Sequence, residues 1–474
     1  MKAINATSCR PTSNSEAKEK ADTTVKEVSD YSKNLTKLYQ DRVRQAPSQM
    51  PELNTPEQIK VIQSVATDEI NRKETLTPIE RPPTAIGGGT PPVVLPEASF
   101  RGAPEFSTDK INTAHERDVW NADYGTFPDP ARPGVRKTFL ITAGRDKTAF
   151  VMDLMGDSDF FLTGHGDEVD ASIINPNPAS RGTAWFAATA SDDSSARVWK
   201  FGPGAASAKL KKHSAALTGL VWSRDGRWLV TTSKDKTAII WDLGSGGGEQ
   251  PKIYRILDKG TGSIWQSALL DRTREASGES WLVMPCSDGK AYIYTFPEGK
   301  LIRALDHRAA VRRVAISPDA KYVVTGGADG RAVLWNPETG EMLCEAVHAD
   351  AVRDVAIDST GRYFASGSAD GSAQVWDTQA KKGVVALKGH TAPIFSIAFT
   401  PGGPGLVTTS LDRTARIWNF AEKRCLAVCT GHTNVIWSVK FSPTGANFCT
   451  TSADGTTRIW NLRAIPGTET LRPN

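Results

Sequence analysis

One unit, met again and again, limits what this chain can fold into. Gly389 to Asn419 reads GHTAPIFSIAFTPGGPGLVTTSLDRTARIWN, and the pattern starts over 42 residues later at Gly431-His432. Each copy opens on a Gly-His or a lone His. An apolar run follows (Ile394 to Phe399), then a turn at Pro401-Gly402-Gly403 and a second run (Leu406 to Ser410). A tight turn at Asp412 leads into a third run ending at Trp418-Asn419. Short β-rich apolar runs punctuated by Gly and Pro read as strands, not helices.

The spacing is regular enough to count units. His and Trp are 28 residues apart in His213–Trp241, His307–Trp335, His348–Trp376, His390–Trp418 and His432–Trp460. His165–Trp199 is longer because Asn175-Pro-Asn-Pro and Arg181-Gly182 insert a loop. An Asp stands six residues before each strand-ending position: Asp193, Asp235, Asp329, Asp370, Asp412 and Asp454. Two degenerate copies keep the offset, Asp288 before Tyr294 and Asp146 before Met152, giving eight units. Self-similarity at this period with GH…WD ends resembles the WD40-repeat family over roughly Phe100–Leu462. The resemblance implies an all-β fold, a single β-propeller, with eight blades favoured over seven.

Composition sets the surroundings of that ring. The 57 basic and 53 acidic residues leave a net charge of +4, with no bias toward nucleic acid or membrane. No apolar run reaches the roughly 18–20 residues of a membrane helix, and the N-terminus lacks the apolar core of a secretory signal. Six cysteines form no CxxC pair, which fits a reducing intracellular compartment, cytoplasmic or nuclear. Residues 1–75 read as an N-terminal extension. Val25, Val28, Leu35, Leu38, Tyr39 and Val43 make a thin amphipathic stripe between Lys18 and Arg44, and a second helix starts at Thr55-Pro56 with Gln58 as its capping partner. Those helices are expected to be unstructured alone or to pair with the propeller, a partner helix or a second copy. Residues 76–99 are a Pro/Gly-rich linker, 100–465 the propeller and 466–474 a tail.

In this family a His, a Ser or Thr, the turn Asp and the Trp form a buried hydrogen-bonded set. A buried indole N–H must find an acceptor, a hydroxyl can accept it and donate onward to imidazole, and the other imidazole N–H suits the carboxylate. The complete sets are expected to be His165/Ser191/Asp193/Trp199, His213/Ser233/Asp235/Trp241, His348/Ser368/Asp370/Trp376, His390/Ser410/Asp412/Trp418 and His432/Ser452/Asp454/Trp460. The fifth unit has Gly327 at the hydroxyl position, the first Gly144 and Met152, and the fourth Gly260, Cys286 and Tyr294. All seven histidines fall at the repeat position, so none is left for a catalytic dyad or a metal site. A His–Ser–Asp set looks like a hydrolase triad, but here it recurs around the ring. No Walker loop, GxSxG, HExxH or EF-hand spacing appears. The reading is of no enzyme and no cofactor.

Propellers of this family bind proteins through loops on the top of the ring, and the residue five after each His points there. Those residues are Trp120, Asp170, Thr218, Trp265 (counted from Gly260), Arg312, Arg353, Phe395 and Trp437. Aromatic and Arg side chains dominate binding hot spots, so Trp120, Trp265, Arg312, Arg353, Phe395 and Trp437 are the candidate partner-binding residues. The acids Asp118, Glu168, Asp170 and Asp192 are expected beside them. The alternative to each is a ring packed into its own blade. Trp185, Trp222, Trp228 and Trp281 fit strand or core positions. The leading function is a scaffold subunit of a larger assembly. A second reading, substrate receptor of a ubiquitin ligase, rests on Trp460-Asn-Leu-Arg463, similar to a WDxR ending but with Asn for Asp. Dispersed Lys and Arg make nucleic-acid binding a poor fit.

Ring closure follows from counting strands. Each unit supplies three strands from His to Trp and a fourth from the segment after the Trp. After Trp460 only a Pro-containing end remains, so Glu105–Ile111, with Pro104 ahead of it, is expected to supply the last outer strand.

Overall fold

A computed structural model describes most of residues 97–465, with gaps at 99–104, 107–109, 129–135, 155–158, 178–184, 202–205, 245–250 and 271–278, and also residues 468 and 471. The chain divides into two units, 1–90 and 91–474, and all described residues belong to the second. The helices expected before residue 75 lie outside the described residues.

Unit two is an all-β propeller of eight sheets. The innermost strands of blades 1 to 8 are Val119–Pro128, Val169–Ile174, Leu217–Trp222, Ala268–Leu270, Val311–Ile316, Val352–Ile357, Ile394–Phe399 and Ile436–Phe441. Each packs on the innermost strand of the next blade, and the eighth packs on the first. Blade 7 shows the plan: Ile394–Phe399, Gly405–Ser410, Ala415–Asn419 and Arg424–Cys429 run antiparallel from centre to rim. Each sequence unit supplies the three inner strands of one blade, and in blades 1 to 7 the segment after its strand-ending residue is the rim strand of that same blade and leads toward the next unit.

Continuous short apolar runs bounded by turns become strands because both faces of a blade are covered. The middle strands are buried throughout, as in Gly405–Ser410 and Ala415–Asn419, because both of their faces meet a neighbouring blade. Between blades 7 and 8, Val407, Ile417, Ile436, Val439, Phe448 and Trp460 share one cluster. The turns after the Asp are equally regular. The next residue has a positive φ in all eight: Lys147, Ser194, Lys236, Gly289, Gly330, Gly371, Arg413 and Gly455. Half are Gly, which adopts that region freely.

Closure comes from the N-terminal side, in a form the sequence only half anticipates. Lys110–Asn112 pairs antiparallel with Thr457–Asn461 and completes blade 8. Glu105–Phe106, assigned to the same strand by sequence, instead pairs parallel with the rim strand of blade 7. Glu97–Ala98, inside the stretch read as linker, pairs parallel with the rim strand of blade 6, Lys382–Lys388. Three steps of one segment thus lie along three consecutive rims. The far end is more than a tail. Leu471 is fully buried in the cluster of blades 7 and 8, and Thr468 donates its hydroxyl to the carbonyls of Leu462 and Ile465 at 2.5 and 2.7 Å.

Candidate functional site: the bulge residues on one face of the ring

The buried sets hold each blade together and fix the turn from which the face is built. In blade 7 the Trp418 indole N–H donates to Thr408 Oγ1 at 2.9 Å, and that hydroxyl lies 2.7 Å from His390 Nε2. His390 Nδ1 lies 2.7 Å from Asp412. One assignment satisfies every atom: indole to hydroxyl, hydroxyl to Nε2, Nδ1–H to carboxylate. Burial lowers the His390 pKa despite the carboxylate beside it, so the ring is neutral. Burial also opposes the Asp412 charge, but hydrogen bonds from His390 and Thr414 outweigh it and hold the carboxyl far below its usual range.

The hydroxyl differs from the one the sequence suggests. Thr189, Thr231, Thr408 and Thr450 serve blades 2, 3, 7 and 8, in place of Ser191, Ser233, Ser410 and Ser452. Strand register gives the reason. Trp418 stands opposite Leu406, so Thr408 is its diagonal neighbour at about 7 Å, whereas Ser410 is four residues along, about 13 Å away. The serines shape the turn instead. Ser410 accepts the Asp412 N–H at 3.0 Å and donates to Ala392 O at 3.0 Å, and Ser191, Ser233, Ser368 and Ser452 do the same in their blades. In blade 6, Ser366 meets His348 at 2.8 Å while the Trp376 indole donates to Gln374 at 3.1 Å. His348 Nδ1 lies 3.5 Å from Asp370.

Blade 5 is therefore complete. Thr325 meets both His307 at 2.7 Å and Trp335 at 2.8 Å, and His307 lies 3.2 Å from Asp329. Gly327 makes room, because a Cβ there would come within 2.1 Å of the His307 ring. Blade 1 keeps His115, Thr142 and Asp146 at 2.8 and 2.9 Å, with Met152 in the indole's place. In blade 4 the Tyr292 hydroxyl donates to Asp288 at 2.8 Å, taking the role of the missing His. The signal for all of these was a hydroxyl four residues before the turn Asp, which recurs in every unit except the fourth, where Met284 stands.

These turns frame the candidate face. Trp120, Asp170, Thr218, Arg312, Arg353, Phe395 and Trp437 each fall at a register shift near the start of the innermost strand. A bulge residue has no ladder partner and is turned out of the pleat. Blade 4 is the exception: Trp265 follows the single bridge Ile264–Cys286.

The structure brings four of the six candidates into one row across adjacent blades. The Arg353 guanidinium lies 5.6 Å from the Phe395 ring centre, Phe395 meets Trp437 edge-on at 4.8 Å, and Trp437 meets Trp120 at 4.8 Å. All four are partly exposed. Arg312 lies 6.0 Å from the Trp265 ring, a separate pair across blades 5 and 4. The Trp120 and Trp265 indole N–H groups are buried and make no hydrogen bond among the described residues. Thr218 is tied down, donating to Ile264 O at 2.5 Å.

Beyond Trp120 the face turns acidic. Burial, together with the neighbouring carboxylate of Asp192, pushes the Asp170 pKa well above the usual carboxylate range. Lys234 lies 3.6 Å from Asp192, and Arg145 donates to Glu168 at 2.7 Å. Burial raises the Asp118 pKa, partly offset by Arg145 and by the Trp437 indole nearby. Trp185, Trp222 and Trp228 are buried, and Trp281 is partly so.

Polar residues on the innermost strands, not anticipated from sequence, bond blade to blade. Asp354 accepts from Ser396 and from the Ile397 N–H, both at 3.0 Å, and Asp123 accepts from the Ile174 N–H at 3.0 Å and meets Lys440 at 3.3 Å. Among the described residues no group of three or more His, Cys, Asp or Glu could hold a metal ion.

Comparison with known proteins agrees with this architecture. The WD40 family model (WD domain, G-beta repeat) matches residues 204–242, 299–336, 343–377, 381–419 and 423–461. Nuclear distribution protein PAC1 of Yarrowia lipolytica is 29% identical over 132 residues, covering 26% of this chain and 29% of that protein. THO complex subunit 6 of Arabidopsis thaliana is 29% identical over 161 residues, covering 34% of this chain and 39% of that protein. The matches thus span less than half the length of either relative. The crystal structure of the computationally designed Ika8 protein superposes with a TM-score of 0.59 at 21% identity, covering 76% of this chain and 99% of that one, a likeness of fold.

Proposed function

The chain belongs to the WD40-repeat family of β-propellers, and on that premise we propose that it is a non-enzymatic scaffold that holds a segment of a protein partner on the bulge face, as a subunit of a larger intracellular assembly. The observation that carries this reading is the row Arg353–Phe395–Trp437–Trp120. Four blades present large side chains in mutual contact, partly exposed, at positions whose backbone needs none of them. Such residues combine contact area with directional groups. The acids beyond Trp120 give the face two ends of opposite character, which favours one orientation of a bound segment. A relative whose name marks it as a complex subunit supports the assembly part of the reading.

The ubiquitin-ligase reading has less behind it. Asn461, which stands in the WDxR-like ending where Asp is expected, accepts the Arg463 N–H at 3.0 Å and caps a single helical turn.

The test is copurification with a tagged full chain, wild type against the double variant Phe395→Ala/Trp437→Ala. Partners lost at least tenfold, with an unchanged melting temperature, support the face. Partners retained at wild-type levels refute it. Recovery of cullin and adaptor subunits would move the assignment to the ligase.

A further inference from the structure

The rim of the ring is closed on one side and open on another. Blades 6 and 7 each receive an added parallel strand from the chain's own segment. In blade 3 the rim strand Lys252–Leu257 ends its sheet among the described residues, and five of its six residues are exposed. Ile253, Tyr254 and Ile256 are 43%, 45% and 39% exposed. The apolar rim continues onto blade 4, whose Leu301 and Ile302 are 39% and 37% exposed. The two edges adjoin, since a Cβ on Gly299 of blade 4 would come within 2.7 Å of Arg255 Cγ. An open strand edge with apolar side chains is a template for another strand, and proteins usually blunt it with charge. Blade 2 differs in that the one large apolar residue of its rim strand Ala206–Lys211, Leu210, is buried, and only small residues and lysines are left at the edge.

The register sorts the blade 3 edge into two faces. Ile253 and Ile256 stand opposite Trp241 and Ile239, whose cluster lies toward blade 2. Lys252 and Arg255 stand opposite Asp242 and Ile240, on the side toward blade 4. No acid occurs within Lys252–Leu257. The face toward blade 2 is therefore apolar, and the face toward blade 4 carries the two cations beside the buried Leu257 and beside Tyr254, whose ring meets Trp228 at 4.7 Å.

We propose that Lys252–Leu257 is a docking edge for an extended segment of a partner protein that alternates apolar and acidic residues, added parallel as a fifth strand of blade 3. Backbone hydrogen bonds supply the attachment and side chains the selection. The apolar residues of the segment cover Ile253 and Ile256, and its carboxylates meet Lys252 and Arg255. Blades 6 and 7 contain the same parallel addition, made within the chain. This surface lies on the rim, apart from the bulge face.

The probe is a fluorescein-labelled octapeptide of alternating valine and glutamate, titrated with the full-length protein and read by anisotropy. Saturable binding is expected, weakened at least tenfold by Ile256→Lys. It should weaken as much when alternate amides of the peptide are N-methylated, and should be unchanged by Trp437→Ala. An unchanged melting temperature shows that Ile256→Lys is folded. No binding, equal binding by Ile256→Lys, or equal binding of the N-methylated peptide overturns the proposal. Loss with Trp437→Ala puts the peptide on the bulge face and also overturns it. A concentration-dependent dimer in sedimentation, abolished by Ile256→Lys, makes a second copy the occupant and overturns the partner assignment.

Discussion

In blade 7 the rim strand Arg424–Cys429 is buried along five of its six residues, and in blade 3 the rim strand Lys252–Leu257 is exposed along five of six. Both strands are rich in apolar side chains, RCLAVC against KIYRIL, so composition does not separate them. What separates them is what other parts of the chain bring to the rim: Leu426, Ala427 and Cys429 share a cluster with Leu462, Ile465 and Leu471, and a further strand lies across the edge. Blade 7 has Glu105–Phe106 against its backbone, and blade 3 has no strand there among the described residues. A rim strand is thus finished by a segment remote from it in sequence, and its character follows from that segment.

The strongest way to break the comparison is to remove the finishing segment. A chain beginning at residue 91 should melt cooperatively. One beginning at residue 113 loses the strands on blades 6, 7 and 8, leaving backbone groups unpaired and the first and last blades without their link. Its melting temperature should fall by 10 °C or more, and equal melts of the two chains would show that the ring is held otherwise. Next, the same substitution placed on each rim should differ sharply. Val428→Lys buries a charge without a partner and should cost about 3 kcal/mol or more. Ile256→Lys, on the exposed rim, should stay within about 0.5 kcal/mol. Urea unfolding of both variants checks this.

A smaller contrast separates complete from degenerate blades. Asp412→Ala strands His390 and the turn amides and should cost about 2–3 kcal/mol, while Asp288→Ala in blade 4 should cost about 1. The same sets predict acid sensitivity. His165, His213, His390 and His432 have folded pKa values lowered from 6.5, chiefly by burial. Asp146 is lowered to about 2, its bonds to His115 and Thr148 outweighing burial. In both cases the unfolded chain binds more protons, so stability drops as pH falls below 6.5, and again below 3.8. A melting temperature flat from pH 7 to 4 would contradict the assignment.

Asp170 has the opposite sign and the smallest effect. Its folded pKa is raised above 3.8 by burial and by Asp192, so it holds a proton that the unfolded chain releases, and stability falls as pH rises through that window. Asp170→Asn should melt about 2 °C above wild type at pH 8 and match it near pH 4. A constant difference across pH would assign the effect to packing.

The eight units, their turns and the positions of the bulge residues were legible because each depends on local spacing: His to Trp, Asp to Trp, His to the fifth residue. The hydroxyl was misread because Thr408 and Ser410 share a face, and only the cross-strand register says which one reaches Trp418. Tyr292 was missed because it fills the place of a His from a different strand. The one-blade shift of Glu105–Phe106 onto blade 7 was not legible, because strand counting identifies an edge that lacks a partner and not which residues of the segment reach it.

The register shifts at the face have a consequence for how this molecule can change. Trp120, Asp170, Thr218, Arg312, Arg353, Phe395 and Trp437 occupy equivalent bulges, yet they range from aromatic to cationic, acidic and hydroxyl side chains. Because such a position stands outside the ladder, its backbone has no cross-strand partner, and of the seven Thr218 is held by its hydroxyl to Thr232 and Ile264. Thr218 apart, the ring therefore works like a type case: letters can be swapped at the face while the frame that holds them stays as it is.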